Sequence, residues 1–241
     1  MNNVTENLKT YSFKFLEWNK TNWMAGGKSR WKVIGIWFFI FIISSSMFQQ
    51  EADNIPIEEQ NKRVKELSQI LAKTAVEKKE PDSGAVRKLE KLAEHGNSLA
   101  KLYLASGYQD KFLFGLDQDN EKSLSLANSL LENDPAYFIQ ASQLIGAIYD
   151  HGGSGVSQDK GKAIEWYKKA YDHQAINKNE ETSRKFAAAG LANIYRVGGD
   201  NAPCDTQQAI QWFRASGMSE QDIRELFELR RYKGIKECAQ K

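Results

Sequence analysis

Apolar residues recur at helical spacing over most of the chain. Val64, Leu67 and Leu71 form an i, i+3, i+7 stripe between charged flanks, which predicts an amphipathic helix. Residues 81–84, Pro-Asp-Ser-Gly, interrupt this pattern before it starts again at Ala85. Only 4 prolines and long stretches rich in Ala, Leu, Lys and Glu support the same assignment. We therefore predict an all-α chain.

Residues 33–48 break this pattern because they carry no charge, and two glutamines extend the uncharged run to residue 50. At about 1.5 Å per helical residue, the run spans roughly 27 Å, close to the ~30 Å hydrocarbon core of a bilayer. Residues 1–32 are basic, and acidic residues follow the run. The positive-inside rule therefore predicts a single transmembrane helix over residues 33–50, with a cytoplasmic leader at residues 1–32. The rest of the chain would lie outside the inner (cytoplasmic) membrane, in the periplasm or the extracellular space.

Alternatives to this anchor remain open at the level of sequence. Residues 33–43 also fit the apolar core of a cleaved signal peptide, because small serines follow them. A buried core helix is a third interpretation. The basic, aromatic leader either lies on an anionic membrane surface or serves only to fix topology.

Beyond the anchor, the chain repeats itself. Aligning Tyr103, Tyr149 and Tyr195 at a constant spacing of 46 residues brings apolar residues of the same character together before each tyrosine. We expect the three tyrosines to occupy equivalent buried sites. In this alignment the packed face of the first copy is Leu99, Leu102 and Tyr103, and Gly107 begins its turn.

Second helices follow at the same spacing in the last two copies, where Ala163, Trp166 and Tyr167 match Ala209, Trp212 and Phe213. In the first copy the spacing of the second helices is 40, which predicts a connecting loop six residues longer. Asp119, Asp159 and Asp205 precede these helices as amino-terminal caps. Ser219 and Asp222 have the spacing of a capping box for a last helix that closes the stack.

Helical hairpins of this size must stack to bury their apolar stripes, which predicts an α/α solenoid with one shared interior. The middle copy, residues 141–174, resembles the Sel1-like repeat, a relative of the tetratricopeptide repeat. The residues that carry the resemblance are Ala141, Gly146, Tyr149, Gly152, Gly155, Val156, Asp159, Lys162, Ala163, Trp166, Tyr167 and Ala170. Tyr195 and Trp212 continue the pattern in the third copy. We divide the chain into the leader, the anchor, a spacer with an amphipathic helix at 51–80, and the repeat domain at 81–241.

The resemblance implies a binding module, because relatives are mostly adaptors that hold other proteins. Nine residues opposite the packed tyrosine faces are predicted to line a concave protein-binding surface. They are Asn97, Lys101, Leu104, Gln143, Ala147, Asp150, Ala189, Asn193 and Arg196. The two cysteines, Cys204 and Cys238, form at most one disulfide, which an oxidising compartment would favour; two unpaired cysteines are the alternative.

Composition and motifs point away from other function classes. Thirty-three basic and 31 acidic residues leave a net charge of +2, which predicts no nucleic-acid partner. The glycines near residue 152 fit neither a phosphate loop nor a nucleophile turn. We expect that the protein is not an enzyme and that it binds no cofactor, no metal and no small-molecule substrate. The leading hypothesis is a membrane-anchored adaptor or scaffold whose partners are other proteins and, through residues 33–50, the cell membrane. Alternatives are an immunity-type protein that occludes an exported toxin, and an envelope hydrolase with a solenoid substrate groove.

Overall fold

The computed structural model describes residues 55–199 and 201–232, without the side chains of residues 229–232. Secondary structure in this part is helical, apart from two isolated β-bridges, Gly153 with Val156 and Gly199 with Ala202. Pro56 begins a compact unit that contains all the described helices. The leader at 1–32 and the predicted transmembrane helix at 33–50 lie outside the described residues. Among the helices within them, none combines the length and the apolar character needed to cross a membrane.

The described α-helices follow one another along the chain, and each packs against its neighbours. They are α1 (Ile57–Val76), α2 (Ser83–Glu94), α3 (Ser98–Gln109), α4 (Lys111–Phe114), α5 (Asn120–Asn133), α6 (Phe138–His151), α7 (Lys160–Asp172), α8 (Lys178–Val197), α9 (Thr206–Ala215) and α10 (Glu220–Tyr232). The pairs α1–α2, α3–α5, α6–α7 and α8–α9 form helical hairpins that stack in this order. The helix α10 packs on α9, at the position predicted for a closing helix.

The predicted helix caps are present. Asp119, Asp159 and Asp205 each accept a hydrogen bond of 3.0 Å from the backbone N–H three residues later. Ser219 and Asp222 also cap each other, because Asp222 N donates to Ser219 Oγ at 3.1 Å. These contacts satisfy backbone donors that a helix leaves unpaired at its first turn.

The stacked hairpins share a continuous apolar interior, as predicted. Three clusters of buried side chains follow one another along the stack. Leu126 packs against both the amino-terminal and the middle cluster, and Tyr149 packs against both the middle and the carboxyl-terminal cluster. No hairpin therefore buries its apolar stripe alone, which is the property that defines a solenoid.

One backbone hydrogen bond recurs in three hairpins and shows how the repeats align. It joins the capping aspartate of each second helix to a tyrosine of the first helix. The bonds are Asp119 N to Tyr108 O (2.9 Å), Asp159 N to Tyr149 O (2.8 Å) and Asp205 N to Tyr195 O (2.8 Å). A lysine one turn after the cap lies over the ring in the first two cases, at 5.1 and 5.2 Å. Tyr108 is therefore the structural equivalent of Tyr149 and Tyr195.

The predicted role of Tyr103 is wrong. Of the three aligned tyrosines, Tyr195 is buried at 5% exposure, whereas Tyr103 and Tyr149 are half-buried, and the bond of the capping aspartate falls on Tyr108 rather than on Tyr103. The first helices of copies one and two are offset by 41 residues, from Tyr108 to Tyr149, rather than 46. The loop of the first copy is consequently one residue longer than the others, not six. Gly107 also begins no turn, because it lies inside α3, where a Cβ atom would come within 2.6 Å of the Phe114 ring.

Burial follows this corrected register. Residues at equivalent positions of the first helix are buried in each of the three copies, so the same helix face is turned towards the core. Equivalent fully buried positions are Ala100, Ala141 and Ala187, followed four residues later by Leu104, Ile145 and Leu191. In α1 the buried residues Val64, Ser68 and Leu71 have the same spacing. The hairpin α1–α2 thus packs as the first member of the stack.

Candidate functional site

A groove of about 800 Å³ runs along the first helices of three consecutive hairpins. The floor comes from α3, α6 and the amino-terminal half of α8, and Leu113 of α4 contributes to the rim. The lining residues occupy equivalent positions in the corrected register. Leu99, Gln140 and Phe186 form one row. Leu102 and Gln143 form a second row, and Tyr103 and Leu144 form a third. The groove is therefore the concave face of the solenoid.

Large apolar side chains in the groove remain accessible to water. Ile176 is 83% exposed, Phe186 is 61% exposed and Leu113 is 42% exposed. Tyr103 and Leu99 beside them are half-buried. A contiguous apolar surface of this kind, bordered by polar side chains, is typical of a protein interaction site.

The one described carboxylate in the groove lining, that of Glu180, has a structural role. Glu180 Oε2 accepts a hydrogen bond from Ile176 N at 2.8 Å, and Oε1 accepts from Asn177 Nδ2 at 2.5 Å. Asn177 in turn caps α8 by accepting from Glu180 N at 3.0 Å. This reciprocal capping box orders the start of α8 and occupies both carboxylate oxygens. The converging acidic or histidine side chains that the hydrolase alternative requires are not found in this described lining.

Gln140 is a polar residue of the groove with an incomplete hydrogen-bond complement. Its Oε1 atom is buried and accepts no hydrogen bond from the described residues. Gln140 lies on α6, between Leu99 of α3 and Phe186 of α8, at the centre of one lining row.

In the first copy, the residues predicted to line the concave face lie outside the groove. Asn97 is 1% exposed and caps α3, accepting from Ala100 N at 2.8 Å. Leu104 is 2% exposed in the amino-terminal core, and Lys101 Nζ donates to Ser129 Oγ of α5. These three residues line no part of the groove. The reason is the five-residue register error, which rotates an assignment by about 140° around a helix.

In the second and third copies, where the predicted register is correct, one of the six assigned residues belongs to the described groove lining. Gln143 lines the groove, but Ala147 is 9% exposed and buried against its neighbours. Ala189 is half-buried and Asn193 is exposed, accepting a hydrogen bond of 2.7 Å from Arg196 Nη2. The binding role of these residues stays a prediction.

Asp150, near the carboxyl-terminal end of α6, is half-buried and is not part of the described groove lining. Burial raises the pKa of its carboxyl group, and the charges of His151 and Lys160 partly oppose that rise. Its backbone carbonyl accepts a hydrogen bond of 2.7 Å from Gln158 Nε2.

The repeat-defining residues have structural positions that explain their types. Gly152 (φ +64°) and Gly155 (φ +85°) adopt left-handed backbone conformations that side chains disfavour. Ala163 is fully buried, and Trp166 is half-buried beneath Lys169 Nζ, 3.8 Å from the ring centroid. Trp212 meets Tyr171 edge to face at 5.1 Å. Trp166 packs against the middle cluster of buried side chains, and Trp212 packs against the carboxyl-terminal one.

Two other sequence-level candidates have different outcomes. The pairing of Cys204 with Cys238 stays a prediction, because Cys238 lies outside the described residues. No group of three or more histidine, cysteine, aspartate or glutamate side chains suited to holding a metal ion is found in the part of the chain that the structure describes.

Comparison with known families assigns the stacked hairpins. Residues 139–174, which span α6 and α7, and residues 185–219, which begin within α8 and extend past α9, match the Sel1 repeat. The matched segments together cover less than a third of the chain. The predicted Sel1-like solenoid is thereby confirmed for the second and third copies. The hairpin α3–α5 lies outside the matched residues but has the same register in the structure.

Among solved structures, the chain is similar to a protective antigen of uropathogenic Escherichia coli strains that displays an SLR fold. The identity is 25% and the TM-score is 0.44, over 64% of this chain and 30% of that one. The chain thus spans less than a third of the length of that antigen. No curated protein matches the chain significantly.

The sequence alone missed Leu99, Leu102, Tyr103, Gln140, Ile176 and Phe186 as groove residues. A usable signal was present in the two confirmed Sel1 repeats, where ten residues separate the tyrosine from the capping aspartate. Applying that distance to Asp119 leads to Tyr108 within one residue and therefore to the correct helix face.

Proposed function

We propose that the Sel1 repeat domain is an adaptor or scaffold that holds a segment of another protein in the concave groove. The observation that carries this proposal is the alignment of the groove lining at equivalent positions of three hairpins. Equivalent positions on successive repeats form one continuous surface, and solenoids bind extended or helical guests along such surfaces.

Accessible apolar side chains support a protein guest. Ile176, just before α8, and Phe186, within α8, are exposed residues of the groove lining. Fully burying a side chain of this size is worth roughly 1.5–3 kcal/mol. A guest that covers both side chains would therefore gain a substantial part of its binding free energy from this end of the groove.

We further propose that residues 33–50 tether the domain to the inner membrane and that the domain faces the extracytoplasmic side. The support is the uncharged run and the charge asymmetry around it. In cells, the full chain should resist alkaline extraction from membranes, whereas a chain that starts at residue 49 should not. Protease added to spheroplasts should digest the repeat domain. Protection of that domain in intact spheroplasts would contradict the proposed orientation.

Site-directed photo-crosslinking tests the groove. A photoreactive amino acid at Ile176 should form a specific adduct with a partner protein in cells. Val76 is the matched control, because it is 82% exposed, as Ile176 is 83%, and it lies outside the groove lining. Phe186→Glu, placed in the same crosslinking chain, should abolish the adduct at Ile176. Equal adducts at the two positions, or an adduct that survives Phe186→Glu, would show that the partner binds elsewhere.

A further inference from the structure

The groove carries little charge that a guest could pair with. Lys178 and Glu180 are the charged residues of its described lining. Lys178 is exposed at the start of α8, and both carboxylate oxygens of Glu180 already accept hydrogen bonds within the capping box. A charged guest side chain seated between α3 and α8 would lose water without gaining an opposite charge. Charge complementarity therefore favours a guest that is uncharged where it crosses the groove.

This lack of charge belongs to the concave face and not to the hairpins as a whole. Residues 138–149 of α6 contain no charged side chain, whereas its hairpin partner α7 exposes Lys162, Glu165 and Lys168. Lys101 is the charged residue of α3, and it donates to Ser129 Oγ of α5 outside the described groove lining. The uncharged surface therefore follows the first helices from one hairpin to the next.

Apolar side chains lie at both ends of the groove. At the end formed by α3 and α4 they are Leu99, Leu102, Tyr103 and Leu113, which together make up the α3 site. At the other end they are Ile176 and Phe186, which make up the α8 site. Both sites include side chains that water reaches, so a guest can bury apolar surface at each end.

Between the two sites, α6 presents amide side chains. The described lining there consists of Ala136, Tyr137, Gln140, Gln143 and Leu144. Leu144 is buried, and Gln140 Oε1 is closed to solvent, so neither is available to a guest. Gln143 is half-buried, makes no hydrogen bond to the described residues and keeps its amide accessible. Gln143 is therefore a polar group that a bound segment can contact halfway along the groove.

Helix packing sets the distance between the two sites. The helix α6 packs between α3 and α8, and packed helices lie about 8–10 Å apart, so the sites are roughly 16–20 Å apart. An extended segment covers this distance with about 5–6 residues, and a helix with about 11–13.

We infer that the guest is a segment of a partner protein with two apolar anchors, one on the α3 site and one on the α8 site, joined by an uncharged stretch that contacts Gln143. This inference rests on the proposed function and specifies its guest. It assigns recognition to the spacing of two apolar groups and to the exclusion of charge between them.

The test uses a displayed library of random sixteen-residue peptides, selected against the full chain in detergent. Selected peptides should share two apolar positions at a constant separation, either about 5–6 or about 11–13 residues. Asp, Glu, Lys and Arg should be depleted between those positions, because the groove offers them no counter-charge.

Variants of the two sites assign the anchors. Phe186→Ala should weaken the tightest peptide about tenfold and should cost nothing further when the anchor of the α8 site is already alanine. Leu113→Ala should show the same coupling with the other anchor. Val76→Ala is the matched control, because Val76 is 82% exposed but lies outside the described lining, and it should leave affinity unchanged.

Gln143→Glu tests the contact in the middle, because it places a negative charge where the groove has none. Selection of the same library against this variant should enrich Lys and Arg between the two anchors. Gln211→Glu, an exposed substitution on α9, should select the same peptides as the natural protein. A purely structural role of Gln143 would lower Tm without changing the selected sequences.

Each contrary result has a distinct meaning. The inference is overturned if selected peptides carry charges between their apolar residues, if they share no constant separation, if Gln143→Glu selects the same sequences, or if the chain instead self-associates through the groove. It is also overturned if no peptide binds although Ile176 crosslinks a partner, and the proposed function then stands. Absence of both the peptide and the Ile176 adduct would remove the proposed function as well.

Discussion

The ring of Tyr167 lies directly against Gly146, so that a Cβ atom on this glycine would come within 2.6 Å of Tyr167 Cδ1. Gly190 of the next hairpin has the same relationship to the ring, at 2.5 Å from Cε2. Tyr167 is 3% exposed. The phenol ring thus fills the space between α6 and α8 that the two glycines leave, and this contact joins the two Sel1 repeats.

Gly146→Ala should destabilise the domain because the added methyl group overlaps the Tyr167 ring. Overpacking of this kind costs about 1–3 kcal/mol, whereas alanine gains up to about 1 kcal/mol over glycine in a helix. We expect a net loss of about 1–2 kcal/mol in the free energy of unfolding, measured by urea denaturation.

The control for this substitution is Gly84→Ala. Its Cβ would meet only Asp82 Oδ1 at 3.1 Å, and a shift of a few tenths of an ångström in that side chain, which caps α2 by accepting from Ala85 N at 2.8 Å, relieves the contact. Adding Tyr167→Leu to Gly146→Ala should cost less than the sum of the single losses, because the smaller side chain relieves the overlap. A Gly146→Ala variant as stable as Gly84→Ala would contradict the packing described.

Asn120 links two hairpins through a bond that recurs along the stack. Its Nδ2 donates to Gly152 O at 2.7 Å, and at the equivalent position Lys160 Nζ donates to Gly198 O at 2.7 Å. Asn120 is 1% exposed, so Asn120→Ala leaves a buried carbonyl unpaired. We expect a loss of about 1–2 kcal/mol in the free energy of unfolding.

Asn133→Ala is the matched control, since Asn133 belongs to the same helix but is exposed, and its Nδ2 donates to Ser129 O at 2.8 Å and Ser129 Oγ at 3.5 Å within that helix. Its effect should stay within about 0.5 kcal/mol. If both asparagine variants lose the same stability, the bond between the hairpins contributes nothing.

The Tyr108 hydroxyl makes the free energy of unfolding depend on pH in the alkaline range. Burial, the hydrogen bond from its hydroxyl to Glu90 Oε1 (3.0 Å) and the nearby negative charges raise the pKa of Tyr108 from 10.0 to about 12. The unfolded chain loses this proton at the lower pH. The stabilisation is therefore complete below pH 10 and is lost as pH rises through 12.

Denaturation across this interval should show the unfolding free energy of the natural protein falling relative to that of Tyr108→Phe. Absorbance of tyrosinate, as a difference between the two proteins, should titrate near 12. Glu90→Gln should move that titration to lower pH, because it removes the negative charge beside the hydroxyl. An unchanged titration in Glu90→Gln would show that burial alone shifts the group.

The predicted Cys204–Cys238 disulfide is testable by mass spectrometry. Alkylation of the denatured protein without reductant should modify neither cysteine, and prior reduction should expose both. Closing a loop of this length is worth about 3–4 kcal/mol in the chain-entropy model, so reduction should lower the unfolding free energy by a similar amount. A double Cys204→Ser, Cys238→Ser variant should be insensitive to reductant. Modification of both cysteines before reduction would contradict the pairing.

Local signals in the sequence were sufficient to predict the helices and the residues at which they begin. The caps at Asp119, Asp159 and Asp205 depend only on a side chain and an amide three residues away, and all three are formed. Apolar spacing likewise predicts which faces are buried in the last two copies, where the glycine turns leave a single alignment.

In the first copy, apolar spacing was not sufficient to predict which helix face is buried. Tyr103 and Tyr108 both follow leucines at helical spacing, so either one can be aligned with Tyr149. The choice decides which side of α3 faces the core, and the bond from Asp119 N to Tyr108 O settles it in favour of Tyr108. The error placed Leu104 on the concave surface, whereas it is buried in the core, and it placed Tyr103 in a buried site, whereas it is half-buried and lines the groove.

Sequence by itself determined that this chain is a stack of helical hairpins, because helical periodicity and capping act over a few residues. The tertiary structure decided the register of the first hairpin, the inclusion of α1–α2 in the stack, and the position of the groove. Each of these depends on which helices meet across long sequence separations, such as Gly190 against Tyr167. Contacts of that kind leave no local pattern, because their partners are chosen by packing of the whole interior.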